Sequence, residues 1–273
     1  MAFFPYENYR VYYEEHGKGK PLVVLNGIMM STASWKEFVE PFSANNRLIL
    51  VDFLDQGRSD RLTGVEYDHA IQVELVKALL DFLELDKVCL MGISYGSEVA
   101  MEFTLKYQER VERLLLFNAT ARTGPWLGDI GDAWNKATYD ADAYYLTTIP
   151  VIYSPGFYLK KNDWMNRRRE ALRPVFGNPD FIQAMIRLTN SSRNYDVADE
   201  LGKITVPTLI VSCQQDYLTP VEEQQYLAAH IPNSHYVVIP NCGHASMYEQ
   251  PLMYASLVVG FCNVVKTEYN ILV

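Results

Sequence analysis

The stretch "CLMGISYGSEVAMEF", Cys89 to Phe103, joins an apolar run to a helix-like pattern through a serine flanked by two glycines. The pattern G-x-S-x-G puts Gly92 and Gly96 two positions either side of Ser94. A serine raised on a sharp strand-to-helix turn has a strained backbone and brings strand and helix close together, so small residues are needed at those two places. The same five letters also describe a glycine-rich turn whose serine merely caps a helix. The flanking sequence has to separate a nucleophile from a capping hydroxyl.

Upstream, "YRVYYEEHGKGKPLVVLNG" reads as an alternating strand from Tyr9 to Glu15, a Gly-Lys-Gly turn and a continuous apolar run, Leu22–Leu25. A continuous run implies burial on both faces, as in a parallel sheet. In "STASWKEFVEPF", Trp35, Phe38, Val39 and Phe42 recur at helical spacing, and "RLILVDF" (Arg47–Phe53) is another buried strand. Asp68 stands as N-cap to the amphipathic "HAIQVELVKALLDFLELD", with Val73, Leu75, Leu79 and Phe82 among its apolar positions. "KVCLMG" and "RLLLFNA" (Arg113–Ala119) are strands on either side of the helix that Ser94 opens. This alternation predicts an α/β fold with a mostly parallel, doubly wound sheet.

The rhythm breaks between residues 120 and 199. That segment is helical and aromatic, holds Trp126, Trp134 and Trp164, and has breakers at Pro150, Pro155, Pro174 and Pro179. Strands then resume with "VPTLIVSCQQD" (Val206–Asp216) and "SHYVVIPNCGH" (Ser234–His244), before the closing helix "QPLMYASLVVGFCNVV". The expected organisation is an α/β core, residues 1–119 and 200–273, with a helical cap inserted at 120–199.

In open α/β sheets the binding site lies beyond the carboxyl ends of the strands. Ser94 follows one such end and needs a base, because a free hydroxyl is a poor nucleophile. His16, His69, His230 and His235 read as surface or capping residues, whereas His244 lies in the loop "NCGHAS" past a late strand. Asp216, ending "LIVSCQQD", is the candidate to orient the imidazole. The order Ser94, Asp216, His244 is the one that this serine elbow predicts for its partners. Backbone amides would stabilise the developing oxyanion. Tyr95 follows the serine, and "LNGIMMS" offers Ile28 beside a turn at Gly27. Met29, Met30, Trp126 and Trp134 are candidate pocket residues, although core packing would use the same side chains.

Composition limits the partners. The chain has 24 basic and 33 acidic residues, net −9, which argues against nucleic acid because phosphate binding needs a basic face. The short run Arg167-Arg168-Arg169 reads as the solvated side of a helix. The four cysteines, Cys89, Cys213, Cys242 and Cys262, form no C-x-x-C pair and read as buried free thiols rather than disulfides or a metal site. The N-terminus has no basic n-region or long apolar h-region, and no apolar run reaches membrane-spanning length. A cytoplasmic monomer or homodimer acting on a small molecule, without metal or organic cofactor, is expected.

The segments "PLVVLNGIMMSTASW", "VDFLDQGRSD", "DKVCLMGISYGSEVA", "ITVPTLIVSCQQD" and "IPNCGHASMYEQP" resemble the α/β-hydrolase fold superfamily in its esterase, lipase and enol-lactonase-like branch, in order and spacing. The resemblance implies a Ser94–His244–Asp216 triad, oxyanion donors at Ile28 and Tyr95, and a helical lid. Four places depart from the family pattern. Asn26-Gly27 stands for His-Gly, Leu54-Asp55-Gln56-Gly57 for Arg-Gly-His-Gly, Ser97 for the usual small residue after the elbow, and Cys213 for a glycine. The expected activity is hydrolysis of a small or medium carboxylic ester, thioester or lactone through an acyl-enzyme. An acyltransferase, a proline-iminopeptidase-like peptidase using Asp129, Asp132, Asp140 or Asp142, and a non-catalytic ligand receptor are the alternatives.

Overall fold

A computed structural model describes residues 2–265. Its strands are β1 (Ala2–Tyr6), β2 (Tyr9–His16), β3 (Lys20–Leu25), β4 (Asn46–Val51), β5 (Val88–Ile93), β6 (Val111–Phe117), β7 (Thr208–Cys213) and β8 (Ser234–Ile239). They form one sheet in the order β1-β2-β4-β3-β5-β6-β7-β8. The β1–β2 and β2–β4 pairings are antiparallel, and every pairing from β4 to β8 is parallel. The first strand goes beyond the sequence reading. Five residues containing Pro5 carry little alternation, and pairing across the tight turn at Glu7 (φ 52°) makes them a strand.

Around the sheet lie α1 (Val39–Ser43), α2 (Ala70–Phe82) and α3 (Tyr95–Lys106). Between β6 and β7 come α4 (Pro125–Lys136), α5 (Ala141–Ile152), α6 (Pro155–Lys160), α7 (Asn162–Phe176) and α8 (Pro179–Ser191). The chain closes with α9 (Val221–His230), α10 (Ser246–Glu249) and α11 (Pro251–Asn263). Asp68 Oδ1 accepts the Ala70 amide at 2.9 Å and so starts α2. Pro155 and Pro179 open α6 and α8, where the missing N–H is not needed. Pro150 and Pro174 do not break the chain as expected; both lie within the final turn of α5 and α7.

Because side chains alternate across a strand, the continuous apolar runs feed two cores at once. Leu22, Val24, Met91, Leu115 and Val211 meet Trp35, Phe42 and Tyr254 on one face. Val23, Leu25, Leu90, Leu116 and Ile210 meet α2, α3 and the inserted helices on the other.

The cysteine expectation is corrected in part. Cys89 on β5 and Cys262 on α11 form a disulfide with Cα atoms 6.1 Å apart, while Cys213 and Cys242 are free and buried. A contact spanning 173 residues leaves no local spacing to read.

The two chain stretches that enter and leave the segment between β6 and β7 run side by side and form its neck. There Arg122 bridges Asp196, and the amides of Thr123 and Val197 bond Tyr195 and Ala121 carbonyls at 2.9 and 2.8 Å. A second tie is ionic: Arg187 of α8 grips buried Asp55 with Nε and Nη2 at 2.9 and 2.5 Å. Among the described residues, no helix is long and apolar enough to cross a membrane.

Candidate active site

Ser94 sits between β5 and α3 with φ 54° and ψ −124°, a left-handed conformation that a residue with a Cβ adopts only under constraint. The neighbours supply the constraint. The Ser94 amide bonds the Phe117 carbonyl at 2.8 Å, and Ser94 O accepts the Ser97 amide at 2.7 Å. A Cβ on Gly92 would collide with the Gly96 carbonyl, and one on Gly96 with the carbonyls of Leu25 and Asn26. The two glycines are therefore required by contact and not only by pattern. Ser97, a departure from the family pattern, donates its hydroxyl to Phe117 O at 3.0 Å and so ties α3 to β6.

Asp216 follows β7 and is buried. Its Oδ2 accepts from His244 Nδ1 at 2.7 Å, Asn118 Nδ2 at 2.6 Å and Thr219 Oγ1 at 2.9 Å. Its Oδ1 accepts the amides of Leu218 and Thr219 at 2.9 and 3.0 Å. Burial alone would push this carboxyl up, but the His244 charge and these donors outweigh it and hold the group below the usual carboxylate range. The sequence pattern singles out neither Asn118 nor Thr219 as a site residue. Asn118 follows β6 at φ 53°, and its lack of charge is what lets it donate to Asp216.

The loop after β8 that carries His244 rests on the inserted helices. Ala245 N bonds Ile152 O at 2.8 Å, and Glu249 Oε1 accepts the amides of Ser154 and Gly243 at 2.8 and 3.2 Å. No hydrogen bond joins Ser94 Oγ to His244. Both residues line one cavity, and such contacts tighten when substrate binds.

Among the described residues, the amides of Ile28 and Tyr95 have no hydrogen-bond acceptor within the protein. The loop presenting Ile28 is knit by two residues that depart from the family pattern. Gln56 Nε2 donates to Gly27 O and Ile28 O at 2.9 and 3.2 Å. Asn26 donates to Val51 O at 2.8 Å and accepts from Trp35 Nε1 at 2.7 Å. An imidazole at 56 would not donate to both carbonyls through one nitrogen as an amide does.

A cavity of about 540 Å³ opens over Ser94, Tyr95 and His244. Met29, Met30 and Trp134 line it, and so does Ile28. Trp126 does not; it is 48% exposed and its Nε1 bonds Tyr217 O. Two further expectations are corrected. Arg168 is not on a solvated face. It lines the cavity, stacked 4.7 Å from the Tyr248 ring and 5.4 Å from Trp164, with Nε buried and unbonded and no ion-pair partner among the described residues. His69 is 2% exposed rather than a surface residue, and lies against Glu98, which also lines the cavity. Burial pushes Glu98 up to about 7. No group of three or more His, Cys, Asp or Glu among the described residues is arranged to hold a metal ion.

The fold recurs in known proteins. A family model described as alpha/beta hydrolase fold matches residues 20–251. MGS-M2, an alpha/beta hydrolase enzyme from a Medee basin deep-sea metagenome library, has a crystal structure that matches with a TM-score of 0.97 and 47% identity, covering 99% of this chain and 100% of that one. The pimeloyl-[acyl-carrier protein] methyl ester esterase of Nitrosomonas europaea is 27% identical over 256 residues, 90% of this chain and 97% of that protein. The 2-hydroxy-6-oxo-6-phenylhexa-2,4-dienoate hydrolase of Burkholderia cepacia is 24% identical over 269 residues, 93% and 91% of the two chains.

Proposed function

Because the chain belongs to the α/β-hydrolase family and is a hydrolase, we propose that it cleaves a small or medium carboxylic ester, thioester or lactone through an acyl-enzyme on Ser94. The observation that carries this reading is the strained Ser94 elbow facing the same cavity as a His244 bonded to Asp216 at 2.7 Å. Asp216 accepts a hydrogen bond from Nδ1–H, which fixes the tautomer and leaves the Nε2 lone pair of His244 free to take the hydroxyl proton of Ser94. The alkoxide then adds to the carbonyl. The free amides of Ile28 and Tyr95 receive the oxyanion, which strengthens their hydrogen bonds as charge develops. His244 returns the proton to the leaving oxygen or sulfur, and water repeats the sequence on the acyl-enzyme. The helices of residues 120–199 serve as the lid.

Arg168 narrows the substrate class. Its guanidinium lies over the Tyr248 and Trp164 rings in the cavity wall with no ion-pair partner among the described residues, which suits a second anionic group on the substrate. The Burkholderia relative acts on a dienoate, itself a carboxylate, and the Nitrosomonas relative on a methyl ester. The first shares the anionic group and the second the ester, so an ester that carries a carboxylate combines the two features. The iminopeptidase alternative loses most of its carboxylates: Asp132 pairs with Arg193, Asp142 with Arg169 and Arg173, and Asp140 caps α5. The test is hydrolysis of p-nitrophenyl esters of graded acyl length by wild type and Ser94→Ala. Turnover that vanishes in the variant is expected; equal rates in both would exclude the acyl-enzyme.

A further inference from the structure

Glu98 has no part in the steps above, yet it stands one helical turn behind Ser94, its amide bonded to Ser94 O at 3.2 Å. It is 5% exposed and lines the cavity. Among the described residues neither carboxylate oxygen receives a hydrogen bond. The nearest polar group is His69 Nε2 at 3.4 Å, with Glu102 3.8 Å from the other ring nitrogen. Neither His69 nitrogen makes a hydrogen bond, and the ring is walled in by Tyr95 at 4.7 Å and Tyr195 at 5.1 Å. A buried carboxyl without donors destabilises the fold by more than an apolar side chain of its size would. Neither Glu98 oxygen is among the fully enclosed, unbonded polar atoms, so the carboxyl keeps access to the cavity that Glu98 lines. The unsatisfied acceptor therefore faces the space that substrate fills.

We infer that Glu98 is a specificity-determining residue, accepting a hydrogen bond from a hydroxyl on the substrate segment that lies along α3 beside Ser94. The inference rests on the ester-hydrolase reading for where the substrate lies. A hydroxyl fits better than an ammonium. It is satisfied by the carboxyl in either protonation state, whereas an ammonium needs the carboxyl ionised, which burial opposes.

The test compares kcat/KM for methyl butyrate with that for each enantiomer of methyl 2-hydroxybutyrate and methyl 3-hydroxybutyrate, in wild type, Glu98→Gln and Glu98→Met. A hydrogen bond to a buried carboxyl predicts that wild type favours at least one hydroxy ester by about tenfold or more. Glu98→Met brings that ratio to near one, while Glu98→Gln, whose amide oxygen still accepts, keeps part of it. Losses from misfolding or from a misplaced Ser94 fall on all the esters and cancel in the ratio. A wild-type ratio near one for every hydroxy ester, or a ratio unchanged in Glu98→Met, overturns the assignment whether or not a variant folds well. Calorimetric titration of the same esters into Ser94→Ala, with and without Glu98→Met, reads the hydroxyl preference without turnover. A failure of ester chemistry is thereby distinguished from a failure of this assignment.

Discussion

Replacing Asp216 by asparagine changes one atom and reverses the hydrogen-bond demand at the centre of the site. Three donors converge on Oδ2, from His244, Asn118 and Thr219 at 2.7, 2.6 and 2.9 Å, and two backbone amides on Oδ1 at 2.9 and 3.0 Å. Asparagine offers one acceptor and one donor, so either rotamer sets an N–H against donors. If the amide nitrogen faces His244, the imidazole is driven to the tautomer whose Nε2 carries the proton and cannot accept one from Ser94. If it faces the backbone amides instead, the imidazolium formed during attack loses its counter-charge in a dry site. Either route lowers kcat by roughly 10³–10⁴, equivalent to about 4–5.5 kcal/mol of barrier. KM should move by a few-fold at most, because Asp216 does not line the cavity. Opposing donors in the interior also reduce stability by about 1–3 kcal/mol. Steady-state kinetics on a p-nitrophenyl ester together with scanning calorimetry measure both effects. A variant that keeps kcat within tenfold of wild type would refute the role given to Asp216.

Gln56→Leu strips two donors from the Gly27 and Ile28 carbonyls. It should lower kcat about tenfold or more by loosening the oxyanion loop, whereas a pure rise in KM would contradict that account. Gly96→Ala forces a methyl group into the Leu25 carbonyl and should cost about 3 kcal/mol or more, roughly 10 °C in Tm; an unshifted melting curve would show that the elbow has slack. Glu98 provides a pH test. Burial raises it to about 7 from its ordinary value of 4.5, so the folded state binds that proton more tightly than the unfolded chain does. Its contribution to stability is full below the unfolded value and declines as pH rises through this window. The Tm of Glu98→Gln should therefore gain on wild type between about pH 5 and pH 8, the range that contains the shifted group, and a gap that stays constant across that range speaks against the raised value.

Local pattern carried the parallel strands, because burial on both faces writes itself as an apolar run in "PLVVL" and "TLIVSC". The pairing of His244 with Asp216 followed from loops at strand ends. What stayed hidden depended on contacts distant in sequence. The Arg167–Arg169 run reads the same whichever member faces inward, and only the rings of Tyr248 and Trp164 select Arg168. His69 looks like any first-turn histidine until Tyr95 and Tyr195 close over it. Asn26 and Gln56 read as departures from a motif, while their bonding makes them the props of the Ile28 loop.

The bonds from Ala245 to Ile152, and through Glu249 to Ser154, bear on how far this architecture is modular. The helical segment is continuous in sequence and leaves the core through one neck, which makes it look interchangeable between relatives. Yet the loop holding His244 takes its backbone partners from that segment. A chimera that imports foreign helices also imports a new seat for His244. Grafts that retain Ile152–Ser154 with the host core, along with Glu249, preserve the position of the imidazole; those that cut at the neck re-register it.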